Sequence, residues 1–169
     1  MAVSSASYRQ AMARFATGVT VITTRTREQL HGMTANAVTS VSLDPPTLLV
    51  VVGRSNETHE LIPRSGAFVV NVLTREQRPL AEVFAVKNPE VDPFEDVAWQ
   101  SGWEGQPFLT GSLARIFCTL KASHAAGDHT IYVGEVKDLA VGADADPLVY
   151  FKSRYTTVSA REPLPTEKP

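Results

Sequence analysis

Val19-Thr20-Val21-Ile22-Thr23-Thr24 is β-branched throughout, a composition that suits a pleated strand and penalises a helix. Upstream of it, Tyr8, Ala11, Met12 and Phe15 recur at i, i+3, i+4 and i+7. That stripe predicts one amphipathic helix, opened by the capping-box spacing Ser7-Tyr8-Arg9-Gln10 and stopped by Gly18. Downstream comes a charged hairpin segment around Arg27-Glu28-Gln29, then Gly32 to Ser42, rich in small and hydroxylated residues. Asp44-Pro45-Pro46 is a rigid break. Thr47 to Val52 is a strand apolar on both faces, so it is predicted to be central and covered on both sides. Asn56 to Ile62 reads as a short helix closed by Pro63, and Gly66 to Leu73 as a further strand. A second capping box, Thr74-Arg75-Glu76-Gln77, opens a helix through Leu80, Val83 and Phe84.

Lys87 to Phe108 carries prolines and few regular signals, and is predicted to be a long surface excursion of the kind that is usually functional. Leu113 to Ala122 is a strand, with Ala114, Ile116, Cys118 and Leu120 on one face. Gly127-Asp128 marks a turn to the partner strand Thr130 to Val136. Pro147 to Phe151 and Tyr155 to Val158 are short closing strands. The strands are not separated by helices of crossover length, which excludes a doubly wound sheet and favours a closed antiparallel barrel. The reading is one domain over residues 7–158 and a flexible C-terminal tail over 159–169, where three prolines fall in the last nine residues.

The 169 residues carry 16 basic and 18 acidic side chains, a formal charge of −2, and are 43% apolar. This excludes a disordered chain and a generic nucleic-acid binder, and it allows a core that needs no disulfide or metal. With Cys118 alone, neither an internal disulfide nor a thiolate zinc cluster forms within one chain. The start lacks the basic and apolar regions of a signal, and no apolar run is long enough to span a membrane, so a cytoplasmic protein with no membrane partner is expected. A strand buried on both faces in so short a chain needs outside cover, which favours a homodimer.

Nucleotide-binding glycine loops, GxSxG and HExxH are all missing, and the four histidines are not spaced as a metal set, so no metal site is expected. Polar concentrations remain. Thr34-Ala35-Asn36 with Thr39-Ser40-Val41-Ser42 offers hydroxyls, an amide and close backbone approach; it reads equally as a Ser/Thr-rich edge strand. Arg54-Ser55-Asn56-Glu57-Thr58 runs from an apolar strand into a helix start, where unpaired N–H groups and the dipole favour an anion; it reads equally as a plain N-cap. Glu57 would repel a phosphate, so it is expected to face water. His129, after Gly127-Asp128, is either a turn decoration or a donor near a reacting atom, and Asp128 holds its ring only if the turn folds back. Asn71 inside an apolar strand must find a partner, either a neighbour or a ligand.

Taken in order, these segments resemble the short-chain flavin reductase family, the reductase partners of two-component flavin-dependent monooxygenases. The likeness rests on Phe15-Ala16-Thr17-Gly18-Val19-Thr20-Val21-Ile22-Thr23, Gly32-Met33-Thr34-Ala35-Asn36-Ala37 and Ser40-Val41-Ser42-Leu43-Asp44-Pro45-Pro46. It continues through Arg54 to Thr58, Phe68 to Leu73, Phe84-Ala85, Gly127-Asp128-His129, Gly134-Glu135-Val136 and Pro147 to Tyr150, and ends at Tyr155. It implies an FMN-binding split barrel, a six-stranded antiparallel Greek-key barrel with short peripheral helices, acting as a homodimer. It implies that Thr34, Ala35 and Asn36 line the flavin ring and ribityl chain, and that Thr39, Ser40 and Ser42 contact the ribityl or phosphate side. Ser55 and Thr58 would bind the phosphate, Asn71, Val72 and Leu73 would run beside the flavin, and Phe84, Ala85 and Lys87 would close over it. His129 would face the nicotinamide, and Tyr155 would approach the ring edge. Glu57, Val38 and Ser153 depart from the family's usual residues.

The implied activity is hydride transfer from NADH or NADPH to FMN or FAD, with reduced flavin passed to a separate monooxygenase. Such a step needs ring stacking and stabilised charge rather than a protein nucleophile. The alternatives are an oxidoreductase holding FMN tightly and acting on its own substrate, and a flavin-binding module without catalysis.

Overall fold

The computed structural model describes residues 2–86 and 92–158. Its centre is a seven-stranded antiparallel sheet. In chain order the sheet strands are β2 (Thr20–Arg25), β3 (Leu30–Ala35), β4 (Val38–Leu43), β5 (Pro46–Gly53), β6 (Ala67–Val72), β9 (Ala114–Ala126) and β10 (His129–Val141). The spatial order is β3-β2-β6-β9-β10-β5-β4. The two edge strands are consecutive in the chain and joined only by Asn36 and Ala37. The sheet therefore curls until its edges approach, and the Ala37 carbonyl, accepting from Val51 N at 3.0 Å, extends the β4–β5 ladder up to that seam. β3 and β4 do not pair with each other, so the barrel is open along this seam, as a split barrel is.

Three short strands complete the wall: β1 (Thr17–Gly18) pairs with β11 (Val149–Phe151), which pairs with β12 (Arg154–Thr156). A separate hairpin joins β7 (Trp99–Ser101) to β8 (Pro107–Leu109). The helices are α1 (Ser5–Met12), α2 (Thr58–Ser65) and α3 (Arg78–Val83). The mainly-β split barrel expected from the sequence is the fold observed.

Ile22, Val50, Val52, Phe68, Val70, Cys118 and Tyr132 fill the barrel. A second cluster, including Val19, Val21, Leu73, Phe84, Phe94 and Leu148, packs outside it. Alternate residues of β2 thus point into different cores. Its buried threonines find acceptors: Thr20 Oγ1 donates to Ala35 O and Thr24 Oγ1 to Ala67 O, both at 2.7 Å. Burial in the barrel pushes the Cys118 thiol up to about 12. Native protein at pH 8 is expected to leave a thiol-disulfide reagent unreacted until denaturant is added, since the thiolate is the nucleophile.

The structure corrects four expectations. β2 and β6, not β5, are the strands buried on both faces. Leu48, Val50 and Val52 of β5 point into the core, while Thr47, Leu49 and Val51 are only half-buried, because no helix covers that side of β5. Helix α1 starts earlier and ends sooner than the apolar stripe predicts. Ser4, not Ser7, is the N-cap, accepting from Ser7 N at 3.1 Å, and Gly18 belongs to β1. The stripe faces outward: Tyr8, Met12 and Phe15 are 61%, 48% and 67% exposed.

Pro63 does not end α2, which runs on to Ser65 and closes at Gly66 with φ of 71°. Proline removes the N–H that the His59 carbonyl would accept, and the Tyr132 hydroxyl donates to that carbonyl instead, at 2.7 Å. The excursion from Lys87 is partly regular and buried. The Phe94 ring meets Phe84 at 5.2 Å and Trp99 at 5.8 Å, and β7 and β8 form behind them. Residues 87–91 and the tail lie outside the described residues.

The β11–β12 hairpin turns through Lys152 and Ser153, with φ of 50° and 58°. Two successive left-handed residues suit a tight hairpin twist but penalise side chains. Ser153→Gly is expected to stabilise the fold by about 0.5–1 kcal/mol, raising the melting temperature by about 2–3 °C in a thermal scan.

Candidate functional site

A cleft of about 220 Å³ opens where β1, β2, β3 and the β11–β12 hairpin meet, lined by Val19, Thr34, Ala35, Asn36, Tyr150 and Tyr155. Thr34 anchors one wall. Its N–H donates to Phe84 O at 3.0 Å and its hydroxyl to Ala81 O at 2.7 Å, so the end of α3 is pinned to β3. Gly32 makes room for this contact, since a Cβ there would stand 2.7 Å from the Phe84 ring. Asn36 donates to Thr17 Oγ1 at 3.0 Å, which orients its amide and leaves Oδ1 without a partner among the described residues. Tyr150 and Tyr155 are cross-strand partners with ring centroids 5.6 Å apart and form the facing wall. Burial raises the Tyr155 pKa, and nearby Glu82 adds to this, so the hydroxyl stays a donor.

A second polar group surrounds the start of α2. Arg54 N donates to Asp128 O at 2.9 Å, tying the α2 approach to the β9–β10 turn. That turn folds back: Asp128 Oδ1 stands 2.7 Å from His129 Nδ1, and this bond from the imidazole holds the Asp128 carboxyl below its ordinary pKa. His129 is 48% exposed and lies opposite Gly53 in the β10–β5 ladder.

The helix start differs from the expectation of open donors. Thr58 N is taken by Asn56 Oδ1, and His59 N and Glu60 N by the Asn56 and Glu57 carbonyls. Asx capping from within the loop has occupied the first turn. Glu57 is exposed and turns away to Gln29 Nε2, at 2.7 Å, and to His31, at 3.7 Å. Burial lowers the His31 pKa, with Glu57 and Asn56 opposing. Ser55 is exposed, whereas Thr58 is fully buried and its hydroxyl has no hydrogen-bond partner.

Other predicted positions are more widely placed. Asn71 is sealed inside: its amide donates to Val21 O and Thr23 Oγ1, each at 3.0 Å, and its oxygen accepts from Leu109 N at 2.8 Å. Its partners are neighbours, and no polar atom is left over. Leu73 is buried, but its backbone bonds Val19 and Leu148 behind the cleft, and Val72 is half-buried. Phe84 is buried, and Ala85 is exposed beside it. Thr39 and Ser40 are exposed on edge strand β4, and Ser42 exchanges hydrogen bonds with Asp44. Lys87 lies outside the described residues. Sequence reasoning missed Val19, Thr17 and Tyr150 as site residues. Tyr150 carried a signal, standing in the closing segment opposite Tyr155.

The Flavin reductase like domain model matches residues 12–159. This chain belongs to the flavin reductase-like family. It is 40% identical over 153 residues to the NADH-dependent flavin reductase of a Rhodococcus species, covering 89% of this chain and 84% of that one. It is 34% identical to the flavin-dependent monooxygenase reductase subunit HsaB of Rhodococcus jostii, covering 97% of this chain and 83% of that one. Among solved structures it resembles NADH:FAD oxidoreductase SgcE6 of Streptomyces globisporus in complex with NAD and FAD fragments. The TM-score there is 0.87 at 34% identity, covering 92% of this chain and 93% of that one. The family match spans both the Thr34–Tyr155 cleft and the His129 turn. Among the described residues no group of three histidine, cysteine or acidic side chains is placed to hold a metal, and no helix is long and apolar enough to cross a membrane.

Proposed function

We propose that the protein is a cytoplasmic NAD(P)H:flavin oxidoreductase that passes hydride to FMN or FAD and delivers reduced flavin to a separate flavin-dependent monooxygenase. The observation that carries this reading is a cleft of hydroxyl, amide and tyrosine side chains in a chain of the flavin reductase-like family. The residues present fit a flavin. The Thr58 hydroxyl is buried without a partner among the described residues, a costly state that a phosphate or ribityl oxygen reaching it would relieve, and Arg54 and Ser55 stand exposed on the same approach. Bound there, a flavin supplies the ring that accepts hydride from the pyridine nucleotide.

The chain's own part is placement. Asn36, oriented by Thr17, offers Oδ1 as an acceptor to a ring N–H. The tyrosine pair, packed edge to face, walls one side of the cleft and excludes water there. With Asp128 accepting from Nδ1–H, a neutral His129 presents Nε2 as an acceptor for a carboxamide N–H, which orients the nicotinamide without moving a proton. His129→Ala removes one orienting hydrogen bond. The expected result is about a tenfold rise in the KM for NAD(P)H or a comparable fall in hydride-transfer rate, with flavin affinity little changed. Stopped-flow reduction of bound flavin, varied over nicotinamide concentration, reads this. Identical traces in mutant and parent would remove His129 from the site.

The homodimer belongs to the same reading. The outward stripe of α1 and the half-buried outer face of β5 leave apolar surface that the described residues do not cover. Light scattering at micromolar protein is expected to give about twice the 18.4 kDa chain mass. A value at the chain mass would end the dimer.

A further inference from the structure

Beside the cleft lies a second depression, about 340 Å³, between α1 and the Lys152–Ser153 turn, lined by Arg9, Gln10, Ala13, Arg14, Lys152 and Ser153. Three cations gather there in a chain whose overall charge is −2. Among the described residues none of the three has a carboxylate within ion-pairing distance. Arg25, Arg27, Arg54, Arg115 and Arg154 likewise show no ion pair among the described residues, so what sets these three apart is that they line one depression. Cations at a helix C-terminus complement its dipole, which accounts for Arg9 and Arg14 but not for Lys152, which arrives from another element. The arrangement is held together, because Lys152 N donates to Ala13 O at 2.7 Å and docks the hairpin turn onto the helix end.

The two depressions share one hairpin. Tyr150 and Tyr155 line the cleft, and Lys152 and Ser153 are the turn between them, two residues or about 7 Å further along. We propose that the Arg9–Arg14–Lys152 depression is an anion subsite for the adenosine diphosphate group of the pyridine nucleotide, whose nicotinamide meets the flavin ring in the neighbouring cleft. Guanidinium and ammonium donors on a diphosphate form charge-assisted hydrogen bonds, and the Gln10 and Ser153 side chains supply neutral partners for the ribose. The subsite itself stands on the cation cluster; its link to a dinucleotide rests on the flavin-reductase reading.

Titration calorimetry of the full chain with ADP and with adenosine tests it. ADP is expected to bind at least tenfold tighter than adenosine and to weaken as salt rises. The Arg9→Gln/Lys152→Gln double variant is expected to lose ADP affinity at least tenfold with an unchanged melting temperature. Two comparisons of variant with parent then name the source: Kd for FAD against FMN, and KM for NADH against reduced nicotinamide mononucleotide. A loss confined to NADH upholds the assignment to the pyridine nucleotide, and a loss confined to FAD overturns it together with the placement of the flavin phosphate at Ser55 and Thr58. ADP binding no tighter than adenosine, or equal in variant and parent, overturns the subsite. ADP loss without any change for either dinucleotide overturns its link to the cleft. A parent that binds ADP through these residues yet reduces no flavin refutes the proposed activity and leaves the subsite standing.

Discussion

Asn71→Leu is expected to lower the melting temperature by about 10 °C. The side chain is fully buried and spends its amide and its oxygen on Val21, Thr23 and Leu109. Leucine has a similar volume but leaves the Leu109 N–H and the Val21 carbonyl without this partner. Stranding buried polar groups costs about 1–3 kcal/mol each, about 4 kcal/mol in all, and a chain of this length moves about 2–4 °C per kcal/mol. Those bonds join β6 to β2 and to the β8 segment, so the effect is on the fold and not on flavin recognition. Thermal unfolding of variant and parent measures it. A melting temperature within 2 °C of the parent's, with flavin affinity sharply lowered, would instead give Asn71 a ligand role.

Ser55→Ala combined with Thr58→Val is expected to weaken flavin binding at least tenfold and to leave the fold intact. Bonds from hydroxyls to a charged phosphate are worth about 1.5–3 kcal/mol each. Thr58→Val is nearly isosteric, and the hydroxyl it removes has no protein partner, so the apo fold gives up nothing there. The unfolding temperature of the flavin-free protein is expected to hold or rise. Fluorescence titration of FMN and FAD reads the affinity; an unchanged Kd would place the flavin phosphate elsewhere.

The parts of the fold that were legible are those whose cause is local. β2 and β6 are strands because β-branched residues dominate them, and Gly127-Asp128 turns the chain wherever it stands. The failures are long-range. Pro63 reads as a helix stop because the compensating Tyr132 hydroxyl is 73 residues from the carbonyl it serves. Thr47 to Val52 reads as doubly buried because an apolar pattern does not reveal which face lacks cover within one chain. The surface of α1 was misjudged for the same reason: its stripe is apolar, but none of its side chains is buried by the described residues.

The candidate site divides along the same line. Thr34-Ala35-Asn36 was legible as hydroxyl, small residue and amide in sequence, and the structure places all three on the cleft. Tyr150 was not assigned because its role arises from pairing with Tyr155. Asn71 looked like a ligand group because a polar residue in an apolar strand has two physical explanations, and only the packed neighbours decide between them. The occupied first turn of α2 depends on the Asn56 side chain curling back on Thr58 N, which residue types alone leave open.

The central claim is that this chain transfers hydride between a pyridine nucleotide and a flavin. Purified protein is mixed with NADH or NADPH and free FMN or FAD, and absorbance is followed at 340 nm under anaerobic conditions. The account predicts a decline in 340 nm absorbance that is dependent on enzyme and flavin, with matching bleaching of the flavin near 450 nm. Flavin that binds but is not reduced by either nucleotide, at any concentration, would contradict it and leave a flavin-binding barrel without this chemistry.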